Sequence, residues 1–347
     1  IILGVDYASY SPDRDNVQKE ARSRVLDGDT VRLTVDLDNP IKELISPSSY
    51  VWLPQASFPF LNPYKSLGIY FQDQVTIGDK WHIIFGLRHE RYSSSSTDLQ
   101  ETYNTLQSSW LPRLGLTYKI NNQVNYFASY SQGYIPVGAD FVHNHENYGS
   151  NTAFKPEKSY QIETGFKMGF FNNQLQTEMS VFHINRRNML MSTGAVSEAG
   201  FPIYRQSGEV YSQGIELDFR GQMTKDFQLS GNYSFNHTEV KTSSIQSEVG
   251  QMLPNAPRHV AGLWAKYVIP KNALKGLGFG AGLSHVSSRR MENFARKDDQ
   301  GNEQWDKWPA YATINAALYY HVKGVRLSLN ANNILDKYYY LGGFDYT

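Results

Sequence analysis

The sequence predicts an all-β protein, an antiparallel transmembrane β-barrel with about thirteen strands of roughly ten residues each. Three observations support this fold class. Apolar and polar side chains alternate along many short segments, and short and long connections join these segments in turn. The chain also contains 24 Tyr and 18 Phe although its mean hydropathy is polar, which is typical of strands with one apolar and one polar face.

Alternation with a period of two residues is the clearest pattern. In residues 227–236 the aromatic and aliphatic side chains share one face, and Gln, Ser and Asn share the other. A membrane barrel would turn the apolar face to lipid and the polar face to its lumen. A second example sets Ile215, Leu217 and Phe219 against Glu216, Asp218 and Arg220, and we expect the charged set to line the lumen.

A soluble β-sandwich shows the same alternation, so the lengths of the connections must distinguish the two folds. Short links are predicted at 78–80, 121–122, 172–173, 223–226, 270–276 and 323–324. Long links are predicted at 11–66, 93–109, 132–157, 191–203, 241–257 and 289–309. This rhythm is typical of an up-and-down barrel with tight periplasmic turns and long extracellular loops. Bacterial single-chain barrels have even strand counts, so the odd count indicates that one strand is missing or misread.

Aromatic residues flank the predicted short turns, where a barrel carries its interfacial girdle. Trp81, Tyr118, Phe170 and Phe227 hold such positions. Their apolar rings suit the headgroup zone while a polar edge stays hydrated. The general preference of strands for aromatic residues is the alternative explanation.

Composition excludes several classes of protein. Lys plus Arg and Asp plus Glu are both 33, which argues against a nucleic-acid binder. The absence of Cys excludes disulfides, thiolate metal sites and a cysteine nucleophile. We see no apolar run of the length of a membrane helix and no secretion signal, so we expect a mature, trimmed or partial chain.

Several short motifs occur together, in order, over residues 67–340. They resemble those of the TonB-dependent outer-membrane receptors, and within them the ferric siderophore (ferrichrome-like) group. Residues 332–339 (NNILDKYY) resemble the signature before that family's last strand, and residues 125–134 (NYFASYSQGY) resemble one of its strand ends. Further matches lie at 68–74, 155–159, 163–167, 208–210, 214–217 and 255–259, whereas residues 1–66 match only loosely.

The resemblance implies a barrel of roughly 22 strands, of which residues 1–347 form one partial barrel domain, with the plug domain and the final strand missing. It implies an outer-membrane receptor that binds a ferric siderophore at the cell surface and imports it by TonB-coupled active transport. The expected partners are the ferric siderophore, TonB through the missing N-terminal segment, and outer-membrane lipid, with no nucleic acid. The siderophore is a transported ligand, and no cofactor is expected.

Aromatic side chains in or beside the long links are the candidate ligand contacts, because flat rings offer contact area at low entropic cost. The candidates are Trp52, Tyr64, Tyr134, Phe141, Tyr148, Tyr204 and Trp305. Arg289, Arg290 and Arg296 are placed to steer an anionic chelate. Asp298, Asp299 and Glu303 lie nearby in the sequence and weaken that electrostatic argument.

No arrangement of residues indicates catalysis, so an enzyme is not expected. The segment 143–146 (HNHE) resembles a metal cluster, but no strand fixes it, and a solvated loop is the favoured interpretation. Three alternatives to siderophore import stay open. They are a receptor of the same family for haem, cobalamin or an oligosaccharide, a passive porin-type barrel, and a soluble β-rich protein.

Overall fold

The computed structural model describes residues 1–11, 21–26, 29–32, 50–52, 63–97, 102–197, 200–206, 208–243, 246–297, 300, 303–322 and 324–341. Strands dominate these residues, as the alternation predicts. A single short α-helix, α1 (Ala139–His143), is present among them. None of the helices in these ranges is long and apolar enough to span a bilayer.

Thirteen strands form one large sheet. They are β1 (Ile2–Tyr10), β5 (Tyr64–Ile77), β6 (Trp81–Thr97), β7 (Thr102–Lys119), β8 (Val124–Ile135), β9 (Glu157–Phe170), β10 (Leu175–Arg187), β13 (Glu209–Gln222), β14 (Phe227–Thr242), β15 (His259–Val268), β16 (Leu277–Val286), β19 (Tyr311–Val322) and β20 (Val325–Ala331). Shorter strands form three small sheets within the connections. They are β2 (Ala21–Leu26), β3 (Asp29–Arg32) and β4 (Tyr50–Trp52), then β11 (Leu190–Val196) with β12 (Pro202–Gln206), and β17 (Arg289–Lys297) with β18 (Glu303–Trp308).

The large sheet is an up-and-down meander. Each of its strands pairs with the next one along the chain, in the order β1, β5, β6, β7, β8, β9, β10, β13, β14, β15, β16, β19, β20. Every neighbouring pair is antiparallel, as in β10 with β13 and β15 with β16. Within the described residues no pairing joins β1 to β20, so the sheet is an open wall of thirteen strands. The predicted strand count and topology are confirmed.

The two faces of the sheet differ in polarity as the alternation predicts. Ile215 pairs with Val181 on one side and Phe235 on the other, and this apolar face is exposed. The opposite face carries Glu216, Asp218 and Arg220, and its polar side chains line a cavity of about 1060 Å³. The polar face is therefore the concave interior, and the apolar face points outward.

One predicted long link is wrong. Residues 93–97 and 102–109 continue the strands, so that β6 and β7 are 17 and 18 residues long and stay paired as far as Thr97 and Thr102. The Ser-rich and Thr-rich sequence of this segment is typical of a loop, but antiparallel pairing satisfies its backbone groups in water as well as in lipid. The hairpin thus extends past the neighbouring strands. Two other long links contain the small hairpins β11–β12 and β17–β18.

Aromatic rings form two belts on the outer face. Near the short turns, the Trp81 and Tyr118 ring centroids lie 4.3 Å apart. Near the long links, those of His89 and Trp110 lie 4.5 Å apart, and Tyr160, His183 and Tyr211 continue this second belt. Eight residues of β6 separate Trp81 from His89, which is about 26 Å of strand or roughly 20 Å of thickness at a 40° tilt. This spacing is close to the apolar band of a bacterial barrel, about 25 Å tall.

Candidate functional site

The long connections meet at one edge of the sheet and form what we call the cap, namely the described parts of residues 136–156, 188–208, 243–258 and 287–310. The chain enters the cap directly after β8. There Gln107 of β7 donates from Nε2 to the Val137 carbonyl oxygen at 2.7 Å and accepts from the Val137 N–H at 3.1 Å. The Ala139 N–H donates to Ser94 Oγ of β6 at 3.0 Å. The extended hairpin β6–β7 therefore supports the first cap segment.

Aromatic side chains from two distant cap segments pack into one cluster. The Phe141 ring centroid lies 4.5 Å from that of Tyr148 and 5.3 Å from that of Tyr204. Phe154 and Phe201 complete the cluster, and the Tyr204 N–H donates to the Tyr148 carbonyl oxygen at 3.0 Å. This cluster is an apolar core that holds segments 136–156 and 188–208 together.

A buried tyrosine–carboxylate pair lies beneath the aromatic cluster. The Tyr148 hydroxyl donates to Asp140 Oδ2, and Asn144 Nδ2 donates to Asp140 Oδ1 at 2.7 Å. Tyr148 is 5% exposed and Asp140 is 1% exposed. Burial raises the pKa of Tyr148 above its usual range, and the hydrogen bond to Asp140 raises it further. The phenol thus stays protonated and serves as a donor to a carboxylate that water does not reach.

Tyrosines also line the inner wall where it meets the cap. Tyr64 stacks on Tyr10 and on Tyr92, with ring centroids 5.5 Å apart in both cases. Tyr134 lies nearby, and its hydroxyl donates to Gln107 Oε1 at 3.3 Å. Arg88, on the same face of the sheet, forms an ion pair with Asp6 at 2.6 Å. The wall therefore offers flat, half-buried rings beside charged groups, a combination suited to a ligand of mixed polarity.

Charged side chains form a second buried group in the cap. Arg205 of β12 pairs with Glu248, and its Nε donates to Glu248 Oε2 at 3.1 Å. The guanidinium of Arg290 in β17 lies over the Trp305 ring, with its carbon 4.2 Å from the ring centroid. Burial lowers the pKa of Arg290 to about 10, and Glu248 acts in the opposite direction. The guanidinium therefore remains charged at neutral pH.

The structure separates the predicted aromatic contacts into groups. Phe141, Tyr148 and Tyr204 meet in the cap core, where Tyr148 is buried and the other two rings are half-buried. Tyr64 and Tyr134 lie by the inner wall, and Trp305 packs on Arg290 instead. The side chain of Trp52 lies outside the described residues, as do those of Arg296, Asp298, Asp299 and Glu303. Ligand contact by any of these residues stays a prediction.

Several residues of the site carry no signal that sequence reasoning uses. Tyr10 and Tyr92 read as ordinary strand residues, and only the pairing of β1, β5 and β6 stacks them on Tyr64. Arg205 and Glu248 lie 43 residues apart in separate links. No spacing rule relates such residues, because loop-to-loop contacts have no period.

The segment 143–146 has structural contacts. His143 Nε2 hydrogen-bonds the Asn104 carbonyl oxygen at 3.1 Å, and the imidazole stacks on Tyr103 at 5.0 Å. His145 Nδ1 hydrogen-bonds the Ser150 carbonyl oxygen at 2.8 Å. Across the described parts of the chain, no group of three or more His, Cys, Asp or Glu side chains is arranged to hold a metal ion. Both imidazoles thus hydrogen-bond backbone carbonyl oxygens, one in β7 and one within the first cap segment.

The antiparallel meander, the apolar exterior with aromatic belts, the polar concave wall and the elaborate cap together define an outer-membrane β-barrel receptor. Residues 6–334 match the family model described as TonB dependent receptor-like, beta-barrel. The chain belongs to this family. Its members are outer-membrane transport receptors rather than enzymes.

Similar proteins bear receptor names. The metal-pseudopaline receptor CntO of Pseudomonas aeruginosa is 28% identical over 289 residues, covering 79% of this chain and 37% of that protein. The ferrioxamine B receptor of Salmonella typhimurium is 28% identical over 282 residues, with the same coverage of 79% and 37%. The crystal structure of the siderophore receptor PiuA from Acinetobacter baumannii matches with a TM-score of 0.64 at 25% identity, covering 81% of this chain and 40% of that one. The chain thus spans well under half the length of these relatives.

Proposed function

We propose that this chain is part of a receptor that binds a ferric siderophore at the cell surface and imports it by TonB-coupled active transport. One observation carries the proposal. Where the inner face of the sheet meets the cap, β1, β5 and β6 carry the stacked rings of Tyr10, Tyr64 and Tyr92. On other strands of the same polar face, nearer the short turns, side chains border a cavity of about 1060 Å³. A bulky chelate of mixed polarity requires such a surface, with rings for its apolar backbone and polar groups for its iron-binding atoms.

The names of similar proteins support this cargo class. Relatives from two organisms are receptors for metal-pseudopaline and for ferrioxamine B, both of which are metal chelates. The match of residues 6–334 to the family model supports coupling to TonB, because the family is named for its dependence on TonB.

We also propose that different segments of the full-length receptor bind the chelate and contact TonB. The wall and cap described here bind the chelate, while an upstream segment supplies the plug and the contact with TonB. The relatives are long enough for such a segment, since this chain covers only 37% of two of them. Residues 1–347 would then belong to a single barrel domain that closes only with strands outside this chain, because an unpaired edge strand is unstable in lipid.

Iron uptake by cells tests the proposal. The full-length gene is placed in an iron-starved Gram-negative strain that lacks its own siderophore receptors, with tonB present or deleted. We expect uptake of radiolabelled iron from ferrioxamine B or from metal-pseudopaline, and its loss without tonB. Uptake that persists without tonB would favour a passive porin. Uptake of haem, cobalamin or an oligosaccharide in place of iron chelates would change the cargo.

A pair of tyrosine variants locates the binding surface. Tyr64→Ala removes the central ring of the inner stack, and we expect about a tenfold fall in chelate affinity, the usual effect of losing a buried aromatic anchor. Tyr320→Ala is the matched control, because Tyr320 lies on the outer face of β19, opposite Leu277 and Leu327. Equal affinity in both variants would remove the tyrosine stack from the ligand site.

A further inference from the structure

The hairpin β17–β18 concentrates hydrogen-bond donors that have no acceptor. Six buried side-chain atoms lack a hydrogen-bond partner among the described residues, and five of them belong to Arg289, Arg290 and Trp308 of this hairpin. All five are N–H donors. An unpaired buried donor costs free energy, so the group missing from this part of the cap is an acceptor.

Arg290 has the most side-chain donor atoms without an acceptor among the described residues. The residue is 5% exposed, and its Nε, Nη1 and Nη2 atoms all lack a partner within the described chain. The Trp305 ring covers one face of its guanidinium at 4.2 Å. A guanidinium held flat against a ring keeps its edge available for hydrogen bonds in the plane.

The charged neighbours of Arg290 in the described part of the cap do not neutralise it. Glu248 is close enough to act on it, but both carboxylate oxygens of Glu248 are already engaged by Arg205, and Ser243 Oγ adds a hydrogen bond at 2.8 Å. Arg205 itself adds a repelling cation. Arg289 points to the other side of β17, as successive strand residues do, and donates through Nη2 to the Tyr340 carbonyl oxygen at 2.7 Å. Counting only the side chains that the structure describes, the region around Arg290 carries excess positive charge.

We propose that Arg290, backed by Trp305, is the binding site for a carboxylate group carried by the metal chelate. Arg matches a carboxylate through two parallel N–H···O bonds, and these bonds strengthen where water is excluded. The site lies on the hairpin β17–β18 within the cap. The inference rests on the proposed function for the source of the carboxylate, and it narrows the cargo to chelates with a free acidic group.

Anion titration of the purified full-length receptor in detergent tests the site without any siderophore. Sodium succinate is added at constant ionic strength. The Trp305 signal is obtained by subtracting the tryptophan fluorescence of a Trp305→Phe variant from that of the wild-type receptor. We expect a saturable change that Arg290→Gln weakens about tenfold or more, the usual effect of losing a charge-assisted pair. Arg290→Lys should be intermediate, since an ammonium group lacks the planar fork.

The matched control is Arg187→Gln. The Arg187 side chain is 61% exposed at the cap end of β10, so its loss should leave the titration unchanged. A wild-type receptor without a saturable response, or one that Arg290→Gln leaves intact, would overturn the proposal. Stronger binding of inorganic phosphate than of succinate would overturn the carboxylate assignment and favour a phosphate ligand such as a lipid headgroup.

Thermal unfolding without added anion separates ligand binding from a structural role. Replacing an unpartnered buried charge by an apolar group is neutral or stabilising, so Arg290→Met should keep or raise the melting temperature. Arg205→Met should lower it, because it leaves Glu248 buried without its partner. A comparable fall in both variants would overturn the proposal by indicating a structural partner for Arg290.

Two chelates that differ only at the tail distinguish failure of this site from failure of the proposed function. N-succinyl ferrioxamine B carries a free carboxylate, whereas N-acetyl ferrioxamine B is neutral at that position. We expect Arg290→Gln to reduce uptake of the succinyl form and to spare the acetyl form. If the wild type imports neither chelate, the proposed import of hydroxamate chelates is wrong. The succinate titration still tests whether Arg290 binds a carboxylate, because it uses no siderophore.

Discussion

Arg205 and Glu248 form an ion pair that joins two cap segments 43 residues apart, with side chains only 8% and 2% exposed. Glu248 also accepts from Ser243 Oγ at 2.8 Å, so its carboxylate is engaged from both segments. The pair makes the packing of the β11–β12 hairpin depend on the segment that follows β14. Several properties of the cap should therefore depend on these two residues.

Removing one partner of the ion pair should destabilise the cap. Arg205→Met leaves the Glu248 carboxylate buried and unpaired, which costs about 3–5 kcal/mol. We expect faster hydrogen exchange in segments 188–208 and 243–258 of the full-length receptor. Lys167→Met is the control, because the Lys167–Glu178 pair is 55% and 41% exposed and such pairs contribute only about 0–1 kcal/mol. Equal exchange in both variants would contradict the structural role of the buried pair.

The Tyr148 hydroxyl should stabilise the first cap segment. Tyr148→Phe keeps the ring in the aromatic cluster but removes the donor to the buried Asp140 carboxylate, at a cost of about 1–3 kcal/mol. We expect earlier proteolysis within residues 136–156. Tyr148→Phe combined with Asp140→Leu should recover part of this loss, since no buried carboxylate then remains. Proteolysis at the wild-type rate in the single variant would show that the hydrogen bond contributes nothing.

A charge on the outer face should impair membrane assembly, whereas a charge change on the inner face should not. Ile215→Arg places a guanidinium against lipid, at a cost of about 2–4 kcal/mol near the midplane of a bilayer. The adjacent Glu216→Gln alters only the wet interior and should be close to neutral. The measurement is urea unfolding of the full-length receptor folded into lipid vesicles. A larger loss from Glu216→Gln than from Ile215→Arg would reverse the assignment of the two faces.

Gly165 should be intolerant of a side chain. A Cβ at this position would overlap the Met179 carbonyl oxygen and lie 2.8 Å from the Ser180 Cα, both backbone atoms of the paired strand β10. We expect Gly165→Ala to separate β9 from β10 and to lower the amount of folded receptor in the outer membrane. At Gly86 a Cβ would meet its nearest atom at 3.6 Å, so Gly86→Ala should assemble at the wild-type level. Normal assembly of both variants would contradict this account.

The strands could be predicted because their signal is local. Lipid on one side and water on the other select alternate side chains residue by residue, so Ile215 and Glu216 reveal their faces without knowledge of their partners. The short turns could be predicted for a similar reason, since residues such as Gly78 and Asn172 favour the positive φ values observed there. Residues 93–97 and 102–109 were not recognised as strand, because these polar segments pair with each other beyond the bilayer.

The candidate site could be predicted only in part. Aromatic composition selected Tyr64 and Tyr134, which lie by the inner wall near the cap, and it also selected Phe141, Tyr148 and Tyr204. The sequence does not indicate that these last three rings would cover one another. The charge argument for Arg290 was weakened by Asp298, Asp299 and Glu303, whose side chains lie outside the described residues. Within the described residues, Glu248 from another link acts on Arg290, and it is already paired with Arg205.

The sequence by itself determined the class of fold, which face of each strand points outward, and the positions of most connections. Each of these follows from neighbours along the chain and from two solvents of opposite polarity. Only the tertiary structure decided which loop residues meet, and so which aromatic rings are buried and which arginine lacks an acceptor. Contacts between residues such as Arg205 and Glu248 depend on how separate strand ends converge in space, and no periodic pattern along the chain encodes that convergence.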